Sequence, residues 1–256
     1  MEIPSLDMIL FLLAAGFVAA FVDSVVGGGG LVTVPALLMT GLAPGLALGT
    51  NKFGGTLSSL TSSASFFASG KVEGKLVARL FPLSFAGAAL GTYTVQRIPS
   101  EFLRPLVVCM LAVILVYTLL KKNWTGSGRA NEGLSRKSGL IVAAAAVVIG
   151  FYDGFFGPGT GSFLLFVFLL AGFDFVRASG NAKVLNLGSN AASLLLFALF
   201  HSIDYGYGLF LGAAMIAGAW TGSRVAIRKG AAYVKPLFIV VTTVLIGKQL
   251  WDLWRG

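Results

Sequence analysis

The sequence predicts an all-α polytopic membrane protein built from two homologous halves. First, 56% of the 256 residues are hydrophobic and only 11% are charged, whereas a soluble domain has about 45–50% apolar and 25% charged residues. Second, uncharged stretches recur along the whole chain. Third, motifs of the first half return in the second. The formal charge of +9 rests on 19 basic and 10 acidic residues, so membrane topology is its first explanation and no nucleic-acid partner is expected.

The charged residues separate ten uncharged segments. Several segments are shorter than the ~20 residues that a helix needs to cross about 30 Å of hydrocarbon. We therefore expect about 8–10 transmembrane or re-entrant helices, some of them broken within the membrane. The segments are 8–22, 24–51, 53–70, 80–96, 105–120, 138–152, 154–173, 184–203, 205–223 and 236–247.

Basic residues concentrate in three of the connections between these segments. They are the third, fifth and ninth connections, at Lys71–Arg79, Lys121–Lys137 and Arg224–Lys235. Because all three are odd-numbered, the positive-inside rule places them in the cytoplasm and the N-terminus outside. The sequence thus predicts a multi-pass membrane protein, with Met8–Val22 as a first membrane segment and not as a cleaved signal peptide.

Residues 123–137 form the one long connection, a basic linker that we expect in the cytoplasm. It divides the chain into a first repeat at 1–122 and a second at 138–256. Each repeat contains five of the ten segments. Because five is odd, the second copy enters the membrane upside down, which predicts inverted repeats. A parallel arrangement stays open if one segment of each half is re-entrant.

The repeat is visible as matched residues at a nearly constant offset. Asp23 and Gly27 return as Asp153 and Gly157 after 130 residues. Charged residues are rare in membrane segments, so their recurrence at one offset argues against coincidence. After one inserted residue, an offset of 131 pairs Lys52 with Lys183, Ser58 with Ser189, Ser62 with Ser193, Gly87 with Gly218, Gly91 with Gly222, Arg97 with Arg228 and Pro105 with Pro236.

Two glycine-rich stretches lie at matching places inside the apolar zone. They are Gly27-Gly28-Gly29-Gly30 and Gly157-Pro158-Gly159-Thr160-Gly161-Ser162. Such runs do not form a stable helix, and unwound backbone persists at membrane depth only where it is buried in protein or lines a water-filled cavity. The helices that follow would point free N–H groups at a central site, which suits an anion. Close helix packing through small residues is the alternative.

Lys52 and Lys183 also occupy matching positions in the two halves. Burying one lysine at the centre of a membrane helix costs about 2.5–3.5 kcal/mol, so its recurrence indicates a purpose. We predict that the two ammonium groups bind an anionic substrate together with Thr50, Asn51 and Asn181. Snorkelling of the lysines to the membrane surface is one alternative.

Asp23 and Asp153 each precede a glycine-rich stretch by four residues. They offer Lys52 and Lys183 internal salt-bridge partners, which would explain the lysines without a substrate. Both interpretations hold if substrate and carboxylate compete for the lysine. The aspartates can also carry protons, or cap the start of the helix that follows the break.

The chain contains one cysteine, Cys109, and one histidine, His201. One cysteine cannot form an intrachain disulfide and one histidine cannot provide a histidine cluster, so structural zinc, cysteine proteolysis and a dithiol relay are disfavoured. We therefore expect no metal and no cofactor. His201 lies beside a predicted outer loop, where an interfacial position is expected.

At these motifs the sequence resembles the sulfite exporter TauE/SafE family, also called the toluene sulfonate uptake permease family. The resemblance covers essentially the whole chain. It implies an inner-membrane protein that moves sulfite, organosulfonates or related sulfur oxyanions. Pro158 departs from it, since the first half has Gly28 at that place. The motifs are Asp-x-x-x-Gly-Gly-Gly-Gly-x-x-x-x-Pro at Asp23–Pro35, Gly-Thr-Asn-Lys at Gly49–Lys52, and Gly-x-Gly-x-Gly and Asn-x-Lys within Gly157–Lys183.

The sequence therefore predicts a secondary transporter for a small sulfur oxyanion, which works by alternating access around a site at the membrane midplane. Its expected partners are the anionic substrate and the lipid bilayer, and association as a homodimer is left open. A membrane-embedded enzyme is one alternative, although the many serines lack a histidine or cysteine partner within the repeat. An anion channel is the other.

Overall fold

The computed structural model describes residues 5–120 and 136–229, with Thr243, Gly247 and Trp251 beyond them. All regular elements in this part of the chain are helices, which confirms the predicted all-α class. Of the predicted linker at 123–137, residues 123–135 lie outside the described ranges and residues 136 and 137 begin α6. The last predicted segment, at 236–247, also lies outside them apart from Thr243 and Gly247. The helices are α1 Leu6–Val26, α2 Gly30–Met39, α3 Pro44–Ala68, α4 Gly74–Val95, α5 Ser100–Leu120, α6 Arg136–Phe155, α7 Thr160–Leu170, α8 Phe175–Leu199 and α9 Tyr205–Lys229.

Five of the described helices are long and apolar enough to cross a membrane, namely α1, α4, the 138–155 part of α6, α8 and α9. Large apolar side chains stand exposed on their outer faces, as Leu140 and Leu199 do. Such faces suit contact with lipid, because the bilayer core is as apolar as these side chains. The protein is thus a multi-pass membrane protein, as predicted.

Two short helices, α2 and α7, are long enough to cross only about half of a bilayer. They contain 10 and 11 residues, or about 15 Å at 1.5 Å per residue, against about 30 Å of hydrocarbon. Each follows a long helix after a break at one of the glycine-rich stretches. The breaks therefore fall where the glycines predict them.

The glycine breaks need glycine because their backbone angles are left-handed. Gly27, Gly28, Gly157 and Gly159 have φ values of +79°, +93°, +100° and +90°, which side chains disfavour. The two breaks also touch, since a Cβ on Gly27 would overlap the backbone of residues 161 and 162.

Helices α3 and α8 lie side by side in opposite directions. Gly49, near the start of α3, packs against Phe197 and Ser202 at the end of α8. Gly180, near the start of α8, packs against Phe66 and Lys71 at the end of α3. The second contact repeats the first with the two halves exchanged.

The outer helices pair through glycines in the same exchanged pattern. In α9, Gly218 and Gly222 lie against the backbone of Phe17 and Phe21 in α1. In α4, Gly87 and Gly91 lie against the backbone of Val147 and Phe151 in α6. Small residues let helix backbones approach closely where no hydrophobic effect drives association. The residues matched at offsets of 130 and 131 thus occupy matched surroundings.

Several predicted helix boundaries were wrong because a charge inside a helix was taken as its end, whereas α9 begins at Tyr205 as predicted. Asp23 lies inside α1 and Lys52 inside α3. The predicted segment 24–51 instead spans the end of α1, all of α2 and the start of α3. A buried charge that has a partner does not stop a helix, because its backbone hydrogen bonds are unaffected.

Candidate functional site

Two buried ion pairs join the halves of the molecule crosswise. Lys52 Nζ lies 2.6 Å from Asp153 Oδ1, and Lys183 Nζ lies 2.5 Å from Asp23 Oδ2. The side chains of Lys52 and Asp153 are 1% and 2% exposed, and those of Lys183 and Asp23 are 3% and 14% exposed. The structure therefore contains the salt bridges that the sequence left open, each with a partner from the other half.

The two carboxylates are held differently. Asp153 accepts hydrogen bonds from Lys52, from Asn186 Nδ2 at 3.2 Å, and from Ser189 Oγ. Asp23 accepts from Lys183 and from the backbone N–H of Gly29 at 3.0 Å. Gly29 immediately precedes α2, so Asp23 both pairs with a lysine and caps the helix across the break.

A small cavity lies between the glycine breaks and these pairs. Its volume is about 30 Å³, which leaves room for roughly two water molecules. It is lined by Asp23, Gly28, Gly29, Gly30, Asn51, Lys52, Gly55, Asp153, Gly157, Gly159, Thr160, Gly161, Asn186, Asn190 and Met215.

The cavity wall offers more hydrogen-bond donors than the protein uses. Each lysine ammonium has three N–H groups, and in the described part of the chain each gives one to a carboxylate. The backbone N–H groups of Gly28 and Gly159 donate to no acceptor there. The N-termini of α2 and α7 add their positive dipole ends. Surplus donors and positive dipoles suit a small anion.

Most of the predicted site residues meet at this cavity. Lys52, Asn51 and the glycines at 28–30 come from the first half, and the residues at 157 and 159–161 come from the second. Lys183 stands beside it, with Nζ 3.4 Å from the position of a Cβ built on Gly161.

Four predicted residues lie elsewhere. Thr50 Oγ1 accepts from the backbone N–H of Asp204 at 2.9 Å, and Asn181 Oδ1 accepts from the backbone N–H of Glu73 at 2.8 Å. Each neighbouring helix position is rotated by about 100°, so Thr50 points away from the direction of Asn51. The other two predicted residues serve the contact between the breaks, since Gly27 packs on the second stretch and Ser162 Oγ donates to Val26 O at 2.9 Å.

Sequence reasoning did not assign Asn186, Asn190, Gly55 and Met215 to the cavity. The two asparagines follow Lys183 by three and seven residues, and this helical spacing puts all three on one face of α8. This spacing is a signal in the sequence, but hydrogen bonding between helices explains a polar helix face equally well. No sequence pattern pointed to Met215, because it lies on α9, which contains none of the predicted site residues.

Equivalent hydrogen bonds join the two halves at each end of the molecule. Asn181 and Thr50, and likewise Glu73 and Asp204, are related by an offset of 131 residues. Among the residues that the structure describes, only the Glu73 end adds an ion pair, in which Arg177 Nη1 lies 2.7 Å from Glu73 Oε1. Position 46, which corresponds to Arg177, is a leucine.

Membrane helices that are broken around a buried polar centre define a polytopic protein of the transporter class. The chain belongs to the family described as Sulfite exporter TauE/SafE, whose profile matches residues 12–248. The resemblance noted from the motifs is therefore confirmed.

Curated relatives cover nearly the whole chain. It is 37% identical to probable membrane transporter protein ORF9 of a Sinorhizobium species over 100% of both chains. It is 36% identical to a probable membrane transporter protein of Haemophilus influenzae over 96% of both chains. Probable membrane transporter protein YfcA of Escherichia coli is 35% identical, over 97% of this chain and 91% of its own length. No solved structure matches the chain. Family and relatives point to a membrane transporter and not to an enzyme.

Proposed function

We propose that the protein is a secondary transporter that carries a small sulfur-containing oxyanion, such as sulfite or an organosulfonate, across the cell inner membrane. One observation carries this proposal. Two buried lysines with donors to spare, Lys52 in the wall of the cavity and Lys183 beside it, lie close to the starts of the two short helices that follow the glycine breaks. A substrate with several oxygens can accept these donors when a carboxylate yields its place on the ammonium group.

The charge balance of the site supports proton coupling. Two lysines and two aspartates sum to zero, and an anion that enters a buried neutral site leaves an uncompensated charge. A proton taken up by Asp23 or Asp153 restores the balance and frees the paired lysine for the substrate. Asp23 is the carboxylate that water reaches more easily, because its side chain is 14% exposed and that of Asp153 is 2% exposed.

The exchanged contacts of the two halves support alternating access. Helices α3 and α8 are antiparallel, and each end of the molecule is tied by equivalent hydrogen bonds. If the halves are inverted repeats, exchange of their conformations converts a site open to one side into a site open to the other. In this proposal the N-terminus is outside and the end that carries Lys71 and Arg177 is cytoplasmic.

Transport of radiolabelled sulfite into proteoliposomes tests the role of the lysines. Lys52→Gln alone would leave Asp153 buried and unpaired, so the double variant K52Q/D153N removes the whole pair without that penalty. We expect the double variant to stay folded and to lose at least about 100-fold in transport, since it loses a charged partner of the substrate. Lys75→Gln, a control at an exposed position in the first turn of α4, should transport like the wild type. Unchanged transport in K52Q/D153N and in the matching variant K183Q/D23N would contradict the proposal.

Accumulation driven by a pH gradient tests the proton coupling. We expect Asp23→Asn to abolish pH-driven accumulation of sulfite and to retain exchange of sulfite between the two sides. The amide can hold the lysine's hydrogen bond but cannot take up a proton. Wild-type accumulation that is the same with and without the gradient would show that protons are not coupled. Saturable exchange would also separate a carrier from a channel.

A further inference from the structure

The two halves contribute unequally to the wall of the cavity. Asn186 and Asn190 of α8 both line it. The residues at the corresponding places in α3, at an offset of 131, are Gly55 and Ser59. Gly55 lines the cavity without a side chain, while Ser59 Oγ is turned to the backbone of its own helix and donates to Gly55 O at 2.7 Å. At these two matched positions, α8 therefore contributes carboxamides to the cavity wall, whereas α3 contributes no side chain.

Asn190 is the carboxamide that the protein leaves unused. The residue is 6% exposed, and within the described ranges its amide makes no hydrogen bond. Asn186 differs, since its Nδ2 donates to Asp153. Buried polar groups almost always have a partner, and each exception requires an explanation. Because Asn190 faces the cavity, its partner has to come from the contents of the cavity.

The packing around Asn190 preserves its access to the cavity. Its Oδ1 lies 3.1 Å from the position of a Cβ built on Gly55, so the bare backbone of α3 provides the space for the amide. Asn51, another lining residue, uses its Oδ1 to accept a hydrogen bond from Thr33. The polar side of the cavity thus has one amide with both of its groups free.

We infer that Asn190 contacts the substrate and determines which oxyanion is accepted. This inference rests on the proposed function. The lysines supply charge, which any anion satisfies, whereas the amide N–H groups donate to an oxygen at one fixed place. Since only one half carries this amide, the substrate binds in one orientation relative to the halves. Substrates that differ in the group at that place, such as sulfite and an alkanesulfonate, are then discriminated there.

Kinetics in proteoliposomes with sulfite and ethanesulfonate test this inference. Asn190→Asp keeps the shape and adds a negative charge, so we expect KM for both anions to rise about tenfold or more, the effect of losing one hydrogen bond to a charged group. Asn190→Ser, which copies the residue of the other half, should change the ratio of the two KM values by about threefold or more. Ser59→Ala is the matched control, because Ser59 does not line the cavity, and it should leave this ratio unchanged.

The outcomes separate this inference from the proposed function. A folded Asn190→Asp variant with unchanged KM, in a protein whose wild type transports, would overturn the role of Asn190 and leave the proposed function standing. A purified wild type that sulfite, sulfate, thiosulfate and ethanesulfonate all fail to stabilise against heat, and that transports none of them, would overturn both. A thermal shift in the wild type that Asn190→Asp loses and Ser59→Ala keeps would support direct contact with the anion.

Discussion

At the scale of single residues, the two ion pairs look alike in the sequence and differ in the structure. Lys52 and Asp153 are enclosed, and Asn186 and Ser189 also bind the carboxylate. Asp23 is partly exposed and receives one backbone N–H besides its lysine. Burial raises the cost of an unpaired charge, so the loss of one partner from the Lys52–Asp153 pair should destabilise the fold more than the same loss from the Lys183–Asp23 pair. The Asp23 pair is the one that water and protons reach more easily.

This difference predicts unequal effects on stability. Asp153→Ala should lower the free energy of unfolding by about 3–5 kcal/mol, the cost of leaving a buried charge without its partner. Asp23→Ala should cost less, because its carboxylate is more exposed and has fewer partners to leave unsatisfied. Thermal unfolding of both variants in one detergent compares them. Equal losses would contradict the proposed inequality, and in a double-mutant cycle K52Q should recover part of the loss of D153A.

At the scale of elements, sequence reasoning found the helix breaks and missed several helix ends. The breaks were predictable because consecutive glycines oppose a helix locally, whatever surrounds them. The ends were not predictable from charge, because Asp23 and Lys183 gain partners only after distant helices pack. The same limit explains why Thr50 and Asn181 were assigned to the site. Their bonds to the backbone of Asp204 and Glu73 join segments that are far apart in sequence.

The ion pair between Arg177 and Glu73 predicts a measurable bias between the two ends. The pair is about 40% exposed, with side-chain values of 39% and 43%, so it stabilises by about 0.2–1 kcal/mol. Arg177→Gln should therefore raise the population that is open at this end by up to about fivefold. The measurement uses a protein with Cys109 replaced by serine and a new cysteine in place of Met215, which lines the cavity. The rate at which this cysteine is labelled from the Glu73 end measures the population that is open at that end.

Leu46→Arg is the matched variant for this experiment. Position 46 corresponds to Arg177, so a new arginine there can pair with Asp204 at the other end. We expect labelling from that other end to slow, while Arg177→Gln speeds labelling from its own. High salt should weaken both effects, because exposed pairs are screened. Identical labelling rates in both variants and the wild type would show that the ion pair does not bias the ends.

At the scale of the whole molecule, the residues that recur at a fixed offset predict more of the arrangement than any single motif. Lys52 and Lys183 were matched by their offset, and the structure brings both to the same centre. The crosswise choice of partners was not predictable, because an offset relates positions and does not say which side chains touch. Nor was Met215, since the approach of α9 to the cavity depends on how α3 and α9 pack.

The proposed inverted orientation of the halves leads to the final prediction. Lys75 follows the C-terminal end of α3, and Asp204 follows the C-terminal end of α8. Because α3 and α8 are antiparallel, the two residues lie near opposite ends of this helix pair. If the repeats are inverted and basic connections face the cytoplasm, a cysteine at Lys75 is labelled by an impermeant maleimide only in inside-out vesicles. A cysteine at Asp204 is labelled only in right-side-out vesicles. Both variants carry serine in place of Cys109, and labelling in detergent shows that each cysteine reacts when accessible. Labelling of both cysteines from the same side would contradict the inverted repeat, and reversed sides would keep the repeat and reverse the proposed orientation of the N-terminus.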